Sequence, residues 1–231
     1  MKIPETYQTS NIYVPGLSRP GIHGSQATAP GSPAGIPELH SESRNAYTDR
    51  EVSLLPYPGE SHPRNREWAV RAKTCRRLIR YLSDHKKAAS ILDIGCGNGW
   101  LSHQLATVPG SRVVGLDSNL NELRQAARVF RRQSNLKFIY GDFYSSVLQD
   151  LSFDIIVLAA TIQHFPSTSG IIGDASAYLR IGGELHILDS HLYRPALQGF
   201  PHRYLYDPHS LWNRISSRRG ASFPWVCISK T

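Results

Sequence analysis

Several absences narrow this 231-residue chain before any motif is read. No apolar run approaches the ~18 residues that a helix needs to cross a bilayer, so no membrane span is expected. Only three cysteines occur, Cys75, Cys96 and Cys227, too few and too scattered for a disulfide framework or a zinc site, and no metal is expected. The opening Met1-Lys2-Ile3-Pro4-Glu5-Thr6 lacks the apolar core of a secretory signal, which points to a reduced, cytoplasmic protein. Acidic residues are scarce: 18 Asp and Glu against 26 Lys and Arg leave a net charge of +8, which favours polyanionic partners. No appended RNA-binding motif and no aromatic-basic interleaving accompanies that charge.

What is present is unevenly distributed. Residues 1–63 hold nine of the 15 prolines, with Gly-Ser-Ala patches such as Ala29-Pro30-Gly31-Ser32-Pro33-Ala34-Gly35 and no sustained period, and read as a flexible or extended arm. Residues 64–231 read as one α/β domain of ordinary size, a monomer or homodimer. From Arg66 to Leu82 the pattern is helical, with Trp68, Ala72, Cys75, Ile79 and Leu82 on an apolar face and Arg71, Lys73, Arg76, Arg77 and Arg80 opposite.

The richest stretch is Ile91-Leu92-Asp93-Ile94-Gly95-Cys96-Gly97-Asn98-Gly99-Trp100. A short apolar run carries an Asp near its end and enters a loop with Gly at every second position. A helical segment starting with Leu101 and Leu105 comes next, then a second apolar run, Val113-Val114-Gly115-Leu116, closed by Asp117. Strand, glycine loop, helix, strand and acid are the plan of a nucleoside-binding βαβ unit, and Asp117 lies ~20 residues past the loop, where a carboxylate meets a ribose. A dinucleotide fingerprint places its third Gly where Trp100 stands, and a P-loop needs Lys-Ser or Lys-Thr after the last Gly. The loop therefore suits close backbone approach to an adenosine ligand without a pyrophosphate. Asn119 or Ser118 caps the next helix, whose stripe is Leu120, Leu123, Ala127 and Phe130 and whose exposed side carries Arg124, Arg128, Arg131 and Arg132.

Three further elements follow: Phe138-Ile139-Tyr140-Gly141-Asp142-Phe143, then Phe153 to Phe165 as a buried-strand run opening into a polar loop, then Leu179 to Asp189 with its Gly182-Gly183 turn. In this order the five elements, over about residues 66–191, resemble the class I S-adenosylmethionine-dependent methyltransferases. The resemblance implies a doubly wound, mostly parallel, Rossmann-like seven-stranded sheet in three layers. Such sheets end in an antiparallel pair, of which only Phe223 to Ser229 is visible, so the C-terminus reads as abbreviated. A helix is expected from Asp207-Pro208, with Leu211, Ile215 and Trp212 inward.

The resemblance also assigns roles. Asp93 meets the ligand's ammonium group; Gly95, Cys96, Gly97 and Gly99 supply backbone that lies against it; Asp117 holds the ribose diol. Ser118 and Asn119 flank the adenine, Asp142 accepts from its amino group, Phe143 offers an N–H and an apolar face, and the Ala159 carbonyl faces the methionine end. Cys96 also suits a tight turn as a small side chain, Asp142 also suits a turn after Gly141, and His164 also suits a loop residue that packs or hydrogen-bonds locally. His164 is the candidate base, in the loop that faces the transferred methyl; small-molecule members often carry His-His there, and this chain has Gln163-His164. His191 and Tyr193 are further candidates for the acceptor pocket, and Trp68 and Arg71 for bracketing the site from the N-terminal helix, with a plain core role the alternative for Trp68.

For the acceptor, the Asn-Pro-Pro-Tyr type loop of DNA amino-methyltransferases and a Pro-Cys nucleophile are absent, since Ala159-Ala160-Thr161-Ile162 stands in their place. That segment offers no metal ligand either. A small-molecule acceptor with an O, N or C nucleophile is expected; an RNA acceptor or a non-catalytic partner subunit are the alternatives.

Overall fold

The computed structural model describes residues 12–13, 47–86, 88–190, 205–206 and 223–230. The strands are β1 (Ile12–Tyr13), β2 (Ser90–Ile94), β3 (Arg112–Asp117), β4 (Leu136–Tyr140), β5 (Phe153–Ala159), β6 (Leu179–Ser190), β7 (Leu205–Tyr206) and β8 (Phe223–Ser229). The helices are α1 (Asp49–Leu54), α2 (Asn65–His85), α3 (Trp100–Leu105), α4 (Leu120–Val129) and α5 (Thr168–Ala177).

All eight strands form one sheet in the order β1-β4-β3-β2-β5-β6-β8-β7. β1 to β6 pair in parallel, and β8 runs antiparallel to both β6 and β7. The expected seven-stranded plan is met by β2 to β8, with β1 added at one edge. The antiparallel pair expected at the end of such a sheet is present: β7 supplies the partner of β8 that the sequence did not reveal. At two residues each, β1 and β7 are too short to show an alternating pattern, so neither is legible without its neighbour.

The parallel strands are covered on both faces, and their residues alternate between two cores. Ile91, Val113, Ile155 and Val157 face α2, α3 and α4, whereas Leu92, Ile94, Val114, Leu116, Ile156 and Leu158 face α5. On α2, Trp68, Ala72, Cys75 and Leu82 are buried as the spacing predicts, while Leu78 is fully buried and Ile79 only partly. On α4 the stripe is rotated from the expected one: Ala126 is buried instead of Ala127, because its methyl packs where a side chain at Gly99 would stand.

Within the stretch expected as an arm, residues 1–63, the described residues from 47 onward are ordered against the domain. Thr48 and Glu51 form a capping box that starts α1. Asp49 pairs with Arg128 of α4 at 2.6 Å, and that hydrogen-bonded pairing holds its carboxyl down at about 2. Val52 and Leu55 are buried in the core. A six-residue helix anchored by one capping box and one ion pair leaves too little periodicity to be read from sequence. The expected helix after Asp207-Pro208, with Leu211, Trp212 and Ile215, lies outside the described residues.

Candidate active site

At the carboxyl end of β2 the chain turns through three left-handed glycines, Gly95 (φ +71°), Gly97 (φ +52°) and Gly99 (φ +74°), a conformation that costs a residue with a Cβ. The turn is pinned to β3: the Gly95 and Cys96 N–H groups both donate to the Leu116 carbonyl, at 2.8 and 3.1 Å. Asp117 completes the frame. One carboxylate oxygen accepts from the Gly97 N–H and the other from the Asn119 N–H, each at 2.7 Å. A carboxylate oxygen has a second lone pair, so Asp117 orders the loop and still has acceptor capacity for a diol. Ser118 is exposed, and the Asn119 side chain caps α4 by accepting from the Asn121 and Glu122 N–H groups. Glu122 reaches back under the loop, where a Cβ at Gly97 would stand 2.7 Å from its carboxylate.

Asp93 lies one residue before the end of β2 and is 1% exposed. Burial pushes its carboxyl up to about 7, the Asp117 charge adds to the rise, and a 2.6 Å hydrogen bond from the Ser102 hydroxyl opposes it. A carboxyl held so far above its ordinary range has much to gain from a cation beside it. Cys96 is different. Its sulfur packs against the space left by Gly115, and burial raises its thiol well above the ordinary range. Its side chain is a packing group, and only its backbone belongs to the loop.

The other walls come from β4 and β5. Asp142 is exposed, and one oxygen closes a turn by accepting from the Tyr144 N–H at 2.7 Å. Phe143 is buried among Tyr144, Phe165 and Tyr178. The Ala159 carbonyl accepts from the Thr161 hydroxyl at 2.9 Å, and the same hydroxyl lies 3.3 Å from the Gly95 carbonyl. Thr161, which the sequence did not single out, thus ties the β5 loop to the glycine loop; as a lone polar residue outside any period it carries no sequence signal. His164 ends a 3-10 turn over Ile162–His164, where buried Ile162 anchors the turn and the His164 side chain is exposed.

On the other flank, Trp68 of α2 meets Trp100 of α3 edge-on at 5.2 Å and donates to the Tyr47 hydroxyl at 3.0 Å. Arg71 sits over the Trp68 ring at 5.1 Å and pairs with Glu67 at 2.7 Å. The stretch from Tyr47 thus docks beside the glycine loop. His191 and Tyr193 lie outside the described residues.

One side-chain cluster has the makings of a metal site. Glu184, His186 and Cys227 are buried with potential ligand atoms within 4.8 Å of one another. Glu184 is already engaged by Lys86 at 3.1 Å and by the Tyr81 hydroxyl at 3.0 and 3.1 Å. These contacts make the cluster a paired polar network toward the opposite end of β6 from the glycine loop.

The arrangement is that of a nucleoside-binding crevice at the carboxyl ends of parallel strands. The family model for a methyltransferase domain matches residues 85–214, more than half of the chain. The chain belongs to the methyltransferase-domain family, of the class I S-adenosylmethionine-dependent type. A sterol 24-C-methyltransferase of Neurospora crassa is 29% identical over 107 residues, 45% of this chain and 28% of that protein. A malonyl-[acyl-carrier protein] O-methyltransferase of Halalkalibacterium halodurans is 28% identical over 138 residues, 56% of this chain and 48% of that one. The chain thus spans less than half the length of these relatives. Among solved structures, a methyltransferase described as S-adenosyl-L-methionine-dependent from Methanococcus maripaludis shares the fold, with a TM-score of 0.52 at 17% identity over 83% of this chain and 97% of that one.

Proposed function

We propose that this protein transfers a methyl group from S-adenosylmethionine to a small-molecule acceptor. The observation that carries the reading is the pair of carboxylates, Asp93 and Asp117, at the ends of adjacent strands around a loop of three left-handed glycines. Asp117 is suited to the ribose diol, Asp93 to the ammonium group, the glycine backbone to close approach, and Asp142 and Phe143 to the adenine. Ser118 is exposed beside them and Ala159 ends the strand that faces the methionine end. The sulfonium supplies an electrophilic methyl, so the chain's residues have chiefly to position the acceptor, which can contribute ~7–11 kcal/mol of the barrier. The sterol and acyl-carrier-protein methyltransferases among its relatives favour a small acceptor. The basic, exposed positions Lys73, Arg76, Arg77 and Arg80 of α2 support RNA as a second reading.

Among the described residues no helix is long and apolar enough to cross a membrane. The three free, buried cysteines fit a reducing compartment, and we place the protein in the cytoplasm.

Calorimetric titration with S-adenosylmethionine and S-adenosylhomocysteine tests the donor assignment. Both are expected to bind with micromolar affinity. Because the ligand ammonium favours ionised Asp93, binding is expected to release protons below pH 7, where that carboxyl is mostly protonated, and to release few above pH 8. Buffers of different ionisation enthalpy read that release. Absence of binding by either ligand removes the donor assignment; binding enhanced by added RNA moves the acceptor to nucleic acid.

His164 is proposed as the base for acceptors that must lose a proton. His164→Ala is expected to leave donor affinity intact and lower turnover by roughly 10²–10⁴-fold, the scale of general base catalysis. Full turnover in single-turnover kinetics of the variant removes that role.

A further inference from the structure

Asp189 is the residue that the sites described so far leave unexplained. It stands near the end of β6, beside β5, whose Ala159 pairs with Leu188. Two features of strain meet there. Its backbone is left-handed at φ +49°, which a residue with a Cβ rarely adopts. Thr74 hydrogen-bonds its carboxyl, but its Oδ1 is buried and has no hydrogen-bond partner among the described residues. An unpartnered buried carboxylate oxygen is costly, and cost of this kind concentrates where a ligand is to be met. Ala160, just past the end of neighbouring β5, is left-handed as well, at φ +52°, whereas β6 stays paired with β8 on either side of Asp189, through Leu188 and Ser190.

The position of Asp189 places it beside the proposed methyl-transfer site. The Cys75 thiol of α2 is pushed up to about 12, by burial first and then by the charges of Asp189 and Asp93, so the fields of both carboxylates reach the same residue. Burial also holds the Asp189 carboxyl above its ordinary range, opposed by Thr74 and Arg71 and reinforced by Glu67. The one cation in that set is committed elsewhere: Arg71 pairs with Glu67 and covers the Trp68 ring. A half-buried carboxylate whose buried Oδ1 has no partner among the described residues, with its neighbouring guanidinium otherwise engaged, is a receptor for a positively charged or N–H-bearing group.

We infer that Asp189 binds the acceptor and selects a nitrogen nucleophile, an amine, whose N–H or ammonium group supplies the partner that Oδ1 lacks. This rests on the methyl-transfer reading above. For a secondary amine held in that way, the nitrogen lone pair forms the new N–C bond as the methyl–sulfur bond breaks with its electron pair left on sulfur. The ammonium so formed loses its proton to His164, the base proposed above, while Oδ1 holds the nitrogen in place, giving a tertiary amine and a thioether. An ionised carboxylic acid is repelled by the same oxygen, and a phenol offers only one O–H donor and no charge.

Benzylamine, p-cresol and benzoate, equal in bulk and different in charge, are the probes. Calorimetry on the protein saturated with S-adenosylhomocysteine is expected to detect benzylamine and neither of the others. Asp189→Asn is expected to weaken benzylamine binding at least tenfold with nucleoside affinity unchanged, and Asp189→Glu to restore part of it. With labelled donor, transfer to benzylamine is expected to show a raised KM in Asp189→Asn. Equal binding of benzylamine by wild type and Asp189→Asn, or binding of benzoate or p-cresol in preference to benzylamine, overturns the assignment. Loss of nucleoside binding by the wild-type protein strikes the methyl-transfer reading instead, and the two failures are told apart in the same titration series.

Discussion

Asp117→Ala is expected to lower the affinity for S-adenosylmethionine by about 1.5–3 kcal/mol, the worth of hydrogen bonds to a charged group, or roughly ten- to more than a hundredfold. The side chain acts twice. In the free protein its two oxygens hold the Gly97 and Asn119 N–H groups, joining the glycine loop to the start of α4. On the reading proposed above, its remaining lone pairs accept from the ribose hydroxyls of a bound nucleoside. Alanine removes both, so part of the loss reflects a loop that must be ordered on binding. Asp117→Asn separates the two contributions: it keeps one acceptor for the loop and loses the charge. Calorimetry of the pair, with thermal unfolding as a control, makes the division. Wild-type affinity in Asp117→Ala removes the ribose assignment.

Gly99→Ala is expected to destabilise the fold by about 2–5 kcal/mol. The left-handed backbone at φ +74° costs a residue with a Cβ roughly 1–2 kcal/mol. The methyl would also stand 2.7–2.8 Å from the Phe138 ring and the Ala126 methyl, and overpacking of this kind costs typically 1–3 kcal/mol. Neither neighbour is free to yield, since Phe138 and Ala126 are both fully buried. For a domain whose total stability is ordinarily about 5–15 kcal/mol, that is a large fraction. The midpoint of denaturant unfolding reads it. Gly173→Ala is the contrasting case: Gly173 lies in α5 with open space where a Cβ would stand, and the same substitution is expected to stabilise by up to about 1 kcal/mol. Equal midpoints for wild type and Gly99→Ala contradict the packing argument.

The elements legible beforehand share one property: their residues carry the reason for their own conformation. The apolar runs of β2, β3 and β5 have no partner but a two-sided sheet, and alternate glycines before a helix have few backbone solutions. Asp117 was legible because a strand of known length delivers it beside that loop. Its donors were not, because hydrogen bonds to Gly97 and Asn119 depend on how β2 and β3 lie side by side. Asn119 was foreseen as a cap and is one. Cys96 was expected at the ligand, yet the direction of its sulfur is set by the gap at Gly115 on the next strand.

From local chemistry alone, then, come the α/β class, the parallel core of the sheet, the glycine loop and its two carboxylates. Tertiary structure decided the rest. It paired β1 and β7, two residues each, with edges that already existed. It seated α1 on α4 through Asp49 and Arg128, residues far apart in sequence. It brought Thr161 to Gly95, and it left one oxygen of Asp189 buried without a partner among the described residues. Each of these depends on a second segment arriving from elsewhere in the chain. A single stretch of sequence records its own periodicity and backbone preferences, whereas burial and the absence of a partner are properties of the assembled neighbourhood.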